Sequence, residues 1–129
     1  MRTSKYQNRD EFKRGVTEML VLHMLSQGDM YGYELTHAFE DRTDGVYTMV
    51  EGTLYPILYK LEDAGLIAGY TVKVGVRRTR KVYRLEPAGH ERLEELLADY
   101  MLLTTHILHM LGKDIVDRED DASQKQTQQ

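Results

Sequence analysis

The stretch GTLYPILYKLEDAGLI, residues 52–67, decides the fold because it has the pattern of a helix with a proline inside it. Four apolar residues recur at the spacing of one helical face: Leu54, Ile57, Leu58 and Leu61. A proline in a helix interior removes a hydrogen bond and clashes with the turn before it, at a cost of about 3 kcal/mol or more. The position of Pro56 within the helix therefore determines whether the helix can form.

The sequence predicts that this helix starts at Gly52 or Thr53. Pro56 then lies in the first turn, where the backbone amides have no intrahelical partners and proline costs little. Pro56 is on this interpretation a start signal and not a breaker. Gly65 is expected to end the helix as a left-handed cap.

The outer face of this helix carries polar and aromatic residues. At about 100° per residue, Pro56, Tyr59, Lys60 and Asp63 lie opposite the leucines, and Tyr55 lies at the flank. An exposed helix start next to outward tyrosine and lysine side chains suits phosphate contact and base reading. The alternative is a solvated surface helix that happens to carry two tyrosines.

The remaining elements follow from periodicity and from glycine and proline positions. They are a first helix over 10–26, a second over 31–41, a short strand in VYTMV at 46–50, hairpin strands around 68–74 and 81–85 joined by the turn GVRRT, and a long helix over 87–113. The first helix is apolar nearly all round, so we expect it to be buried on more than one side, with His23 in the core.

Three helices followed by a two-stranded hairpin form the arrangement of a winged helix-turn-helix, in which the third helix enters the DNA major groove. The predicted fold class is therefore mainly α with a small β-hairpin, plus a long C-terminal helix. The expected divisions are a winged-helix DNA-binding domain at 10–86, a dimerisation helix at 87–115 that packs with the first helix, and a disordered polar tail at 116–129.

Charge is concentrated in the hairpin. The net charge of the chain is −4, yet residues 73–84 contain six cations and no acid. Such a patch favours nucleic acid more than the mean charge suggests. The alternative is a solvated edge strand whose cations block aggregation. On the DNA interpretation, Arg77 and Arg78 at the tip enter a groove, while Arg80 and Lys81 contact phosphates.

Three segments together resemble the PadR family of bacterial transcriptional regulators: YGYEL at 31–35, GTLYPILYKLEDAGLI at 52–67 and RKVYRLEPAGHERL at 80–93. The resemblance covers most of residues 12–93. It implies a winged-helix domain, a C-terminal helix that dimerises, and usually repression of a nearby gene. The chain departs from the family at Glu86, where threonine is common. Glutamate is a poor helix cap, so the start of the last helix is left open.

The resemblance also implies roles for individual residues. Thr53, Tyr55, Tyr59 and Lys60 fall in the recognition helix, and residues 77–81 fall in the wing. A small hydrophobic or aromatic effector is a further implication, since members of the family are variously switched by phenolic acids or flat hydrophobic drugs. The chain has no tryptophan, which weakens a drug-sensing role.

The long helix itself predicts a homodimer. Its apolar residues cover roughly half of its circumference, more than packing on one small domain requires. The predicted dimerisation residues are Leu93, Leu96, Leu97, Tyr100, Thr104, Ile107, Leu108 and Leu111. The alternative is a helix folded back on its own monomer. Tyr100, Met101 and Thr104 are the candidates for effector contact, although they would equally serve as core.

Other chemistry finds less support in the sequence. His106 and His109 have the spacing of metal ligands, but both lie away from the apolar stripe, so no metal or other cofactor is expected. The three serines lie at a terminus, a helix end and the tail, and no glycine loop could cradle phosphates, so no catalysis is expected.

The chain has no cysteine, which excludes disulfides and thiolate chemistry. The N-terminus lacks the apolar core of a signal peptide, and no run approaches the roughly 18 apolar residues of a membrane span. A cytoplasmic dimeric repressor acting on a pseudo-palindromic DNA site is therefore expected. The rival is a winged-helix module whose hairpin binds an acidic protein partner without reading DNA sequence.

Overall fold

The computed structural model of the chain describes residues 7–114. Across these residues the elements are α1 (Gln7–Lys13), α2 (Thr17–Ser26), β1 (Met30–Tyr31), α3 (Gly32–Arg42), α4 (Glu51–Asp63), β2 (Ile67–Lys73), β3 (Thr79–Leu85) and α5 (Pro87–Met110). The three strands form one antiparallel sheet in the order β1-β3-β2. The predicted class, mainly helical with a small hairpin and a winged helix-turn-helix order, is confirmed.

The single first helix predicted over 10–26 is wrong, because the chain breaks into α1 and α2 at residues 14–16. Gly15 lies in the break and has a low helix propensity. The Lys13 carbonyl, which would continue the helix, instead accepts the Val16 amide at 3.0 Å and the Thr17 hydroxyl at 2.7 Å. The side chain of Thr17 thus competes with the backbone and restarts the helix.

The prediction that the apolar helix is buried on more than one side is confirmed for α2. Six of its ten residues are buried, and they include Val21 and Leu22, neither of which has exposed surface. The prediction that His23 lies in the core is wrong, since His23 is exposed. It lies three residues after the half-buried Leu20 and three before the half-buried Ser26, on the one stripe of α2 that the core does not cover.

The predicted strand at 46–50 does not form, and the third strand is β1 instead. Met30 pairs with Tyr83 and Tyr31 pairs with Val82. Two residues are too few to show a strand periodicity, so sequence patterning could not identify β1. The 46–50 segment is held by side chains: Tyr47 stacks on Phe39 with ring centres 4.8 Å apart, and its hydroxyl bonds to that of Thr17.

The core of the winged-helix unit is formed by α2, α3, α4 and the sheet. Its fully buried side chains are Val21, Leu22, Leu35, Leu54, Leu58, Leu61, Ile67 and Tyr83. The predicted second helix is α3, which buries Leu35, Ala38 and Phe39. The apolar face of α4 is likewise the predicted one, so the burial of three leucines fixes which face of α4 is outward.

The position predicted for Pro56 is wrong. The Leu54 amide donates to the Val50 carbonyl at 3.0 Å, so α4 is already hydrogen bonded before the expected start. Since α4 begins at Glu51, Pro56 is its sixth residue and lies in the helix interior. The Gly52 carbonyl therefore lacks the amide donor that it would normally receive from the residue four positions later.

The glycine cap of α4 is confirmed. Gly65 has φ +74, and its amide donates to the Glu62 carbonyl at 3.0 Å. The Leu66 amide donates to the Leu61 carbonyl, also at 3.0 Å, which completes a Schellman motif. This compact stop turns the chain directly into β2.

The last helix begins at Pro87, the first residue of the predicted range, which resolves the start that Glu86 had left open. The Glu86 carbonyl accepts the amides of Gly89 and His90 at 2.8 and 3.1 Å, so the backbone satisfies these two N–H groups. A Cβ at Gly89 would overlap the Leu66 carbonyl and the Leu85 side chain, so only glycine allows this close packing. The start of α5 is therefore fixed to the winged helix.

The chain divides into two compact units between Glu94 and Glu95, inside α5 and eight residues beyond the predicted boundary. The first unit is described from residue 7, and the second over 95–114. The predicted tail at 116–129 lies outside the described residues. A search of the described helices for one long and apolar enough to cross a membrane finds none.

Candidate nucleic-acid interface

The outward face of α4 carries the side chains that the sequence predicted for DNA contact. Thr53, Tyr59 and Lys60 are exposed, and Tyr55 is half-buried at the flank. Tyr59 has 57% of its surface exposed. The Lys60 ammonium lies 3.7 Å from a carboxylate oxygen of Glu18 and is 74% exposed, which makes this ion pair weak.

Tyr55 packs against the start of α3. A Cβ at Gly32 would lie 2.8 Å from the Tyr55 hydroxyl, so glycine is what lets this ring approach. The contact forms one wall of a cavity of about 360 Å³ lined by Tyr31, Gly32, Tyr33, Tyr55, Arg80, Lys81 and Tyr83. We call this the tyrosine pocket. It brings the flank of α4 and two cations of β3 together.

Tyr31 and Tyr33 were not among the residues that the sequence predicted for the site. Tyr33 is 59% exposed, and Arg80 lies over the Tyr31 ring at 5.3 Å from its centre. The signal that could have found them is the YGYEL motif, which places two aromatic residues around a glycine at a helix start. A glycine between large side chains often marks a close approach of another residue.

A second cavity, of about 520 Å³, borders the start of α4. It is lined by Asp10, Lys13, Arg14, Thr17, Thr48, Met49, Val50, Thr53 and Ile57. Lys13 is bound to Asp10 and to the Thr48 carbonyl, both at 3.2 Å, whereas Arg14 is exposed. These two cations were also missed, because the sequence reasoning considered only the basic run of the hairpin.

The wing is the loop of residues 74–78 between β2 and β3. The Val74 amide donates to the Arg78 carbonyl at 2.8 Å, and Gly75 has φ +102. Arg77 and Arg78 are both exposed there, beside Val76, which is 98% exposed. Among the described residues, no carboxylate lies within ion-pair distance of either arginine.

The two predicted phosphate-contacting residues of β3 differ from each other. Arg80 is exposed and has no carboxylate partner within the described part of the chain. The Lys81 ammonium lies 3.1 Å from Glu62 Oε1. The hydrogen bond to Glu62 raises the pKa of Lys81. Lys81 therefore already has an acidic partner, whereas the Arg80 guanidinium is available to a phosphate.

The second unit presents apolar surface. In the single chain, eight of its large apolar side chains are at least 40% exposed: Leu97, Tyr100, Met101, Leu102, Leu103, Ile107, Met110 and Leu111. Of the other predicted dimerisation residues, Leu96, Thr104 and Leu108 are half-buried. Leu93 is 8% exposed and belongs to the first unit, so it adds little to an open surface.

Two of the histidines of α5, His106 and His109, have local partners. The His106 ring lies 2.8 Å from the Leu102 carbonyl, and the His109 ring lies 3.4 Å from the Asp114 carboxylate. Asp114 was not considered as a partner of these histidines in the sequence, because it follows the end of the helix and does not precede them. Across residues 7–114, no group of three or more histidine and acidic side chains could hold a metal ion.

Residues 21–95 match the family model described as Transcriptional regulator PadR-like family. The chain is 35% identical over 85 residues to the transcriptional regulator Rv3488 of Mycobacterium tuberculosis, which covers 66% of this chain and 76% of that protein. It is 25% identical over 108 residues to the negative transcriptional regulator PadR of Bacillus subtilis, which covers 76% of this chain and 59% of that protein.

Two solved structures resemble the fold. A PadR family transcriptional regulator from Eggerthella lenta superposes with a TM-score of 0.72 at 31% identity, covering 81% of this chain and 89% of the other. Bacillus subtilis PadR in complex with operator DNA superposes with a TM-score of 0.60 at 25% identity, covering 74% of this chain and 59% of the other.

Proposed function

The chain belongs to the PadR-like family of transcriptional regulators, and we propose that it represses transcription as a homodimer bound to a pseudo-palindromic DNA site. It is a DNA-binding transcriptional regulator, and the alternative of a protein-interaction module is not favoured. The proposal includes no catalytic step. It requires the protein to act where the DNA is, which is the cytoplasm.

The observation that carries the proposal is that the first unit has exposed positive side chains without acidic partners. Arg77, Arg78 and Arg80 are exposed on the wing and β3 and have no acidic partner among residues 7–114. The outer face of α4 offers Tyr59 and Lys60 on the same unit. Cations that are not neutralised internally can displace counterions from DNA, which supplies most of the non-specific affinity.

We assign the roles by exposure. Thr53, Tyr59 and Lys60 on α4 contact the major groove and its phosphates, and Tyr55 supports the helix from the tyrosine pocket. Arg77 and Arg78 enter a groove through the wing. Arg80 contacts a phosphate. Lys81 contributes less net charge than the sequence suggested, because its ammonium is paired with Glu62.

The homodimer in this proposal forms through the exposed apolar side chains of the second unit, together with the N-terminal helices. Two recognition helices in a two-fold dimer would bind half-sites about 34–36 Å apart, one turn of DNA. An effector that releases the repressor would be a small hydrophobic or aromatic molecule. We assign its contacts to Tyr100, Met101 and Thr104.

The test is a selection for bound DNA from a pool of randomised duplexes, followed by fluorescence anisotropy. We expect an enriched pseudo-palindromic sequence, bound about a thousandfold or more tightly than a shuffled duplex, with an affinity that falls steeply with salt. Enrichment of no sequence, or equal affinity for the selected and shuffled duplexes, would contradict the proposal.

Substitutions then separate the contribution of α4 from that of β3. Tyr59→Ala should weaken binding to the selected duplex more than to the shuffled one, by roughly 1–3 kcal/mol if it contacts a base. Arg80→Ala should weaken both duplexes alike and lower the salt slope by about one.

Arg42→Ala is the matched control for these variants. It removes an exposed cation that bonds to Gln27 at the far end of α3 from Gly32 and the tyrosine pocket, so both affinities should stay as in the wild type. An equal loss in Arg42→Ala and Arg80→Ala would show that only net charge matters.

A further inference from the structure

Glu62, in the last turn of α4, joins the recognition helix to both strands of the hairpin. Its Oε1 accepts a hydrogen bond from the Lys81 ammonium on β3 at 3.1 Å. Its Oε2 accepts the backbone amide of Gly69 on β2 at 3.2 Å. Because β2 is at the edge of the sheet, this amide is satisfied by a side chain of another element and not by a neighbouring strand.

Gly69 makes the Lys81 contact possible. Lys81 pairs with Thr71, and Gly69 with Tyr83, so the Lys81 side chain must cross β2 diagonally to reach Glu62. A Cβ at Gly69 would overlap the Lys81 Cε and lie 3.0 Å from Glu62 Oε2. The lysine therefore crosses the strand at a residue that has no side chain.

Aromatic rings complete the surroundings of the Lys81 ammonium. It lies 5.2 Å from the centre of the Tyr83 ring and 6.0 Å from that of Tyr59. Both distances are within the range of a cation–π interaction. The ammonium thus binds a carboxylate of α4 and lies near one ring of α4 and one buried ring of its own strand.

A carboxylate in this position does not favour general DNA affinity. It neutralises one of the six hairpin cations and adds negative charge next to the surface that faces phosphates. If affinity alone mattered, Lys81 without an acidic partner would serve better. The geometry instead favours an orienting role, because one side chain fixes the base of the wing to the end of the recognition helix.

We propose that Glu62 is a positioning residue for sequence recognition, which holds Lys81 and the base of the wing against α4 so that wing and helix engage DNA in one register. This inference rests on the proposed function. It predicts that Glu62 contributes to discrimination between sequences and not to total affinity.

The test compares Glu62→Gln with Asp63→Asn on the selected and shuffled duplexes. Both variants remove one negative charge from adjacent residues of α4, but the exposed Asp63 has no partner within the described chain. We expect Glu62→Gln to lower the affinity ratio of the two duplexes by about tenfold, a typical size for a coupled pair. Asp63→Asn should leave the ratio unchanged and raise both affinities slightly.

Gly69→Ala tests the same contact without changing charge. The added methyl group displaces the flexible end of Lys81, so the fold should be retained while the contact with Glu62 is lost. The affinity ratio should fall as in Glu62→Gln. Thermal unfolding of each variant, monitored by circular dichroism, verifies that the folded state is populated in the binding assay.

Lys81→Met completes a double-mutant cycle. In its background, Glu62→Gln should change the ratio by less than about twofold, because the ammonium that Glu62 holds is already absent. Equal ratios for Glu62→Gln, Asp63→Asn and the wild type would overturn the inference while leaving the proposed function intact. If the wild type itself shows no preference between duplexes, the proposed function fails instead.

Discussion

Leu58 has no exposed surface, and it lies on the buried face of α4 between Leu54 and Leu61. We expect Leu58→Ala to lower the free energy of unfolding by about 2–5 kcal/mol, because it removes buried methyl groups and leaves a cavity. Urea unfolding measures the change. Val50→Ala is the control, since Val50 is 66% exposed and its truncation should cost less than about 0.5 kcal/mol.

A second prediction concerns Tyr83, whose pKa is raised by burial, while Lys81 opposes the shift. The folded chain holds the phenol proton to a higher pH than the unfolded chain, in which tyrosine has a pKa of about 10. The stabilisation is therefore complete below about pH 10 and is lost as the pH rises through the folded pKa.

Tyr83→Phe should consequently lose stability less steeply above pH 10 than the wild type does, in urea unfolding at stepped pH. Tyr47 also has a pKa raised by burial, so part of the alkaline loss should remain. The exposed Tyr33→Phe serves as the control and should follow the wild type. An unchanged slope in Tyr83→Phe would show that its ionisation is not linked to folding.

At the scale of elements, α4 is the one whose sequence and structure conflict. Pro56 is its sixth residue, so the helix forms although one of its hydrogen bonds is missing. The burial of three leucines on one face, together with the Schellman motif at Gly65, stabilises the helix enough to offset that loss. The outward position of the proline places its ring in solvent and not in the core.

Pro56→Ala should raise the free energy of unfolding by roughly 1–2 kcal/mol, because the amide regained at position 56 can bond to the Gly52 carbonyl. The greater freedom of alanine in the unfolded chain offsets part of this gain. Thermal or urea unfolding measures it. Pro87→Ala is the control, as Pro87 is the first residue of α5 and blocks no intrahelical bond. Equal effects in both variants would contradict this account.

The hairpin shows how much of the candidate site could be predicted at this scale. Alternation and the run of cations identified both strands, the turn and Arg77 to Lys81, because these features are local. The pairing of Lys81 with Glu62 could not be predicted, since the two residues are 19 positions apart and meet only when β3 packs beside α4. Tyr31 and Tyr33 also meet Arg80 and Lys81 only in the folded chain, although the YGYEL motif is a local signal of a close approach.

At the scale of the whole molecule, the second unit carries exposed apolar surface. Tyr100, Leu103, Ile107 and Leu111 lie along one stripe and are each at least 40% exposed in the single chain. Exposed apolar surface of this kind marks an interface more often than it marks a monomer surface.

Ile107→Glu should therefore shift sedimentation in analytical ultracentrifugation from dimer to monomer, because a charge would be buried without a partner. Thr105→Glu places the same charge about 160° around the helix and should remain dimeric. Loss of the dimer should also weaken binding to the selected palindrome. A wild type that sediments as a monomer at micromolar concentration would contradict the dimer proposal.

The sequence by itself determined the elements whose pattern repeats within a few residues: the buried face of α4, its glycine cap and the hairpin. Periodicity identifies these because the same side-chain spacing must recur on one face. It also carried the family resemblance and, through a run of six hairpin cations that contains no acid, the expectation of DNA.

Only the tertiary structure decided features that depend on contacts distant in the chain. It decided that His23 is exposed, that Met30–Tyr31 is the third strand, that Pro56 is interior, and that Lys81 is held by Glu62. Whether a side chain is buried or an ion is paired depends on which other elements lie beside it. That is set by the packing of the whole unit and not by the residues next to it in sequence.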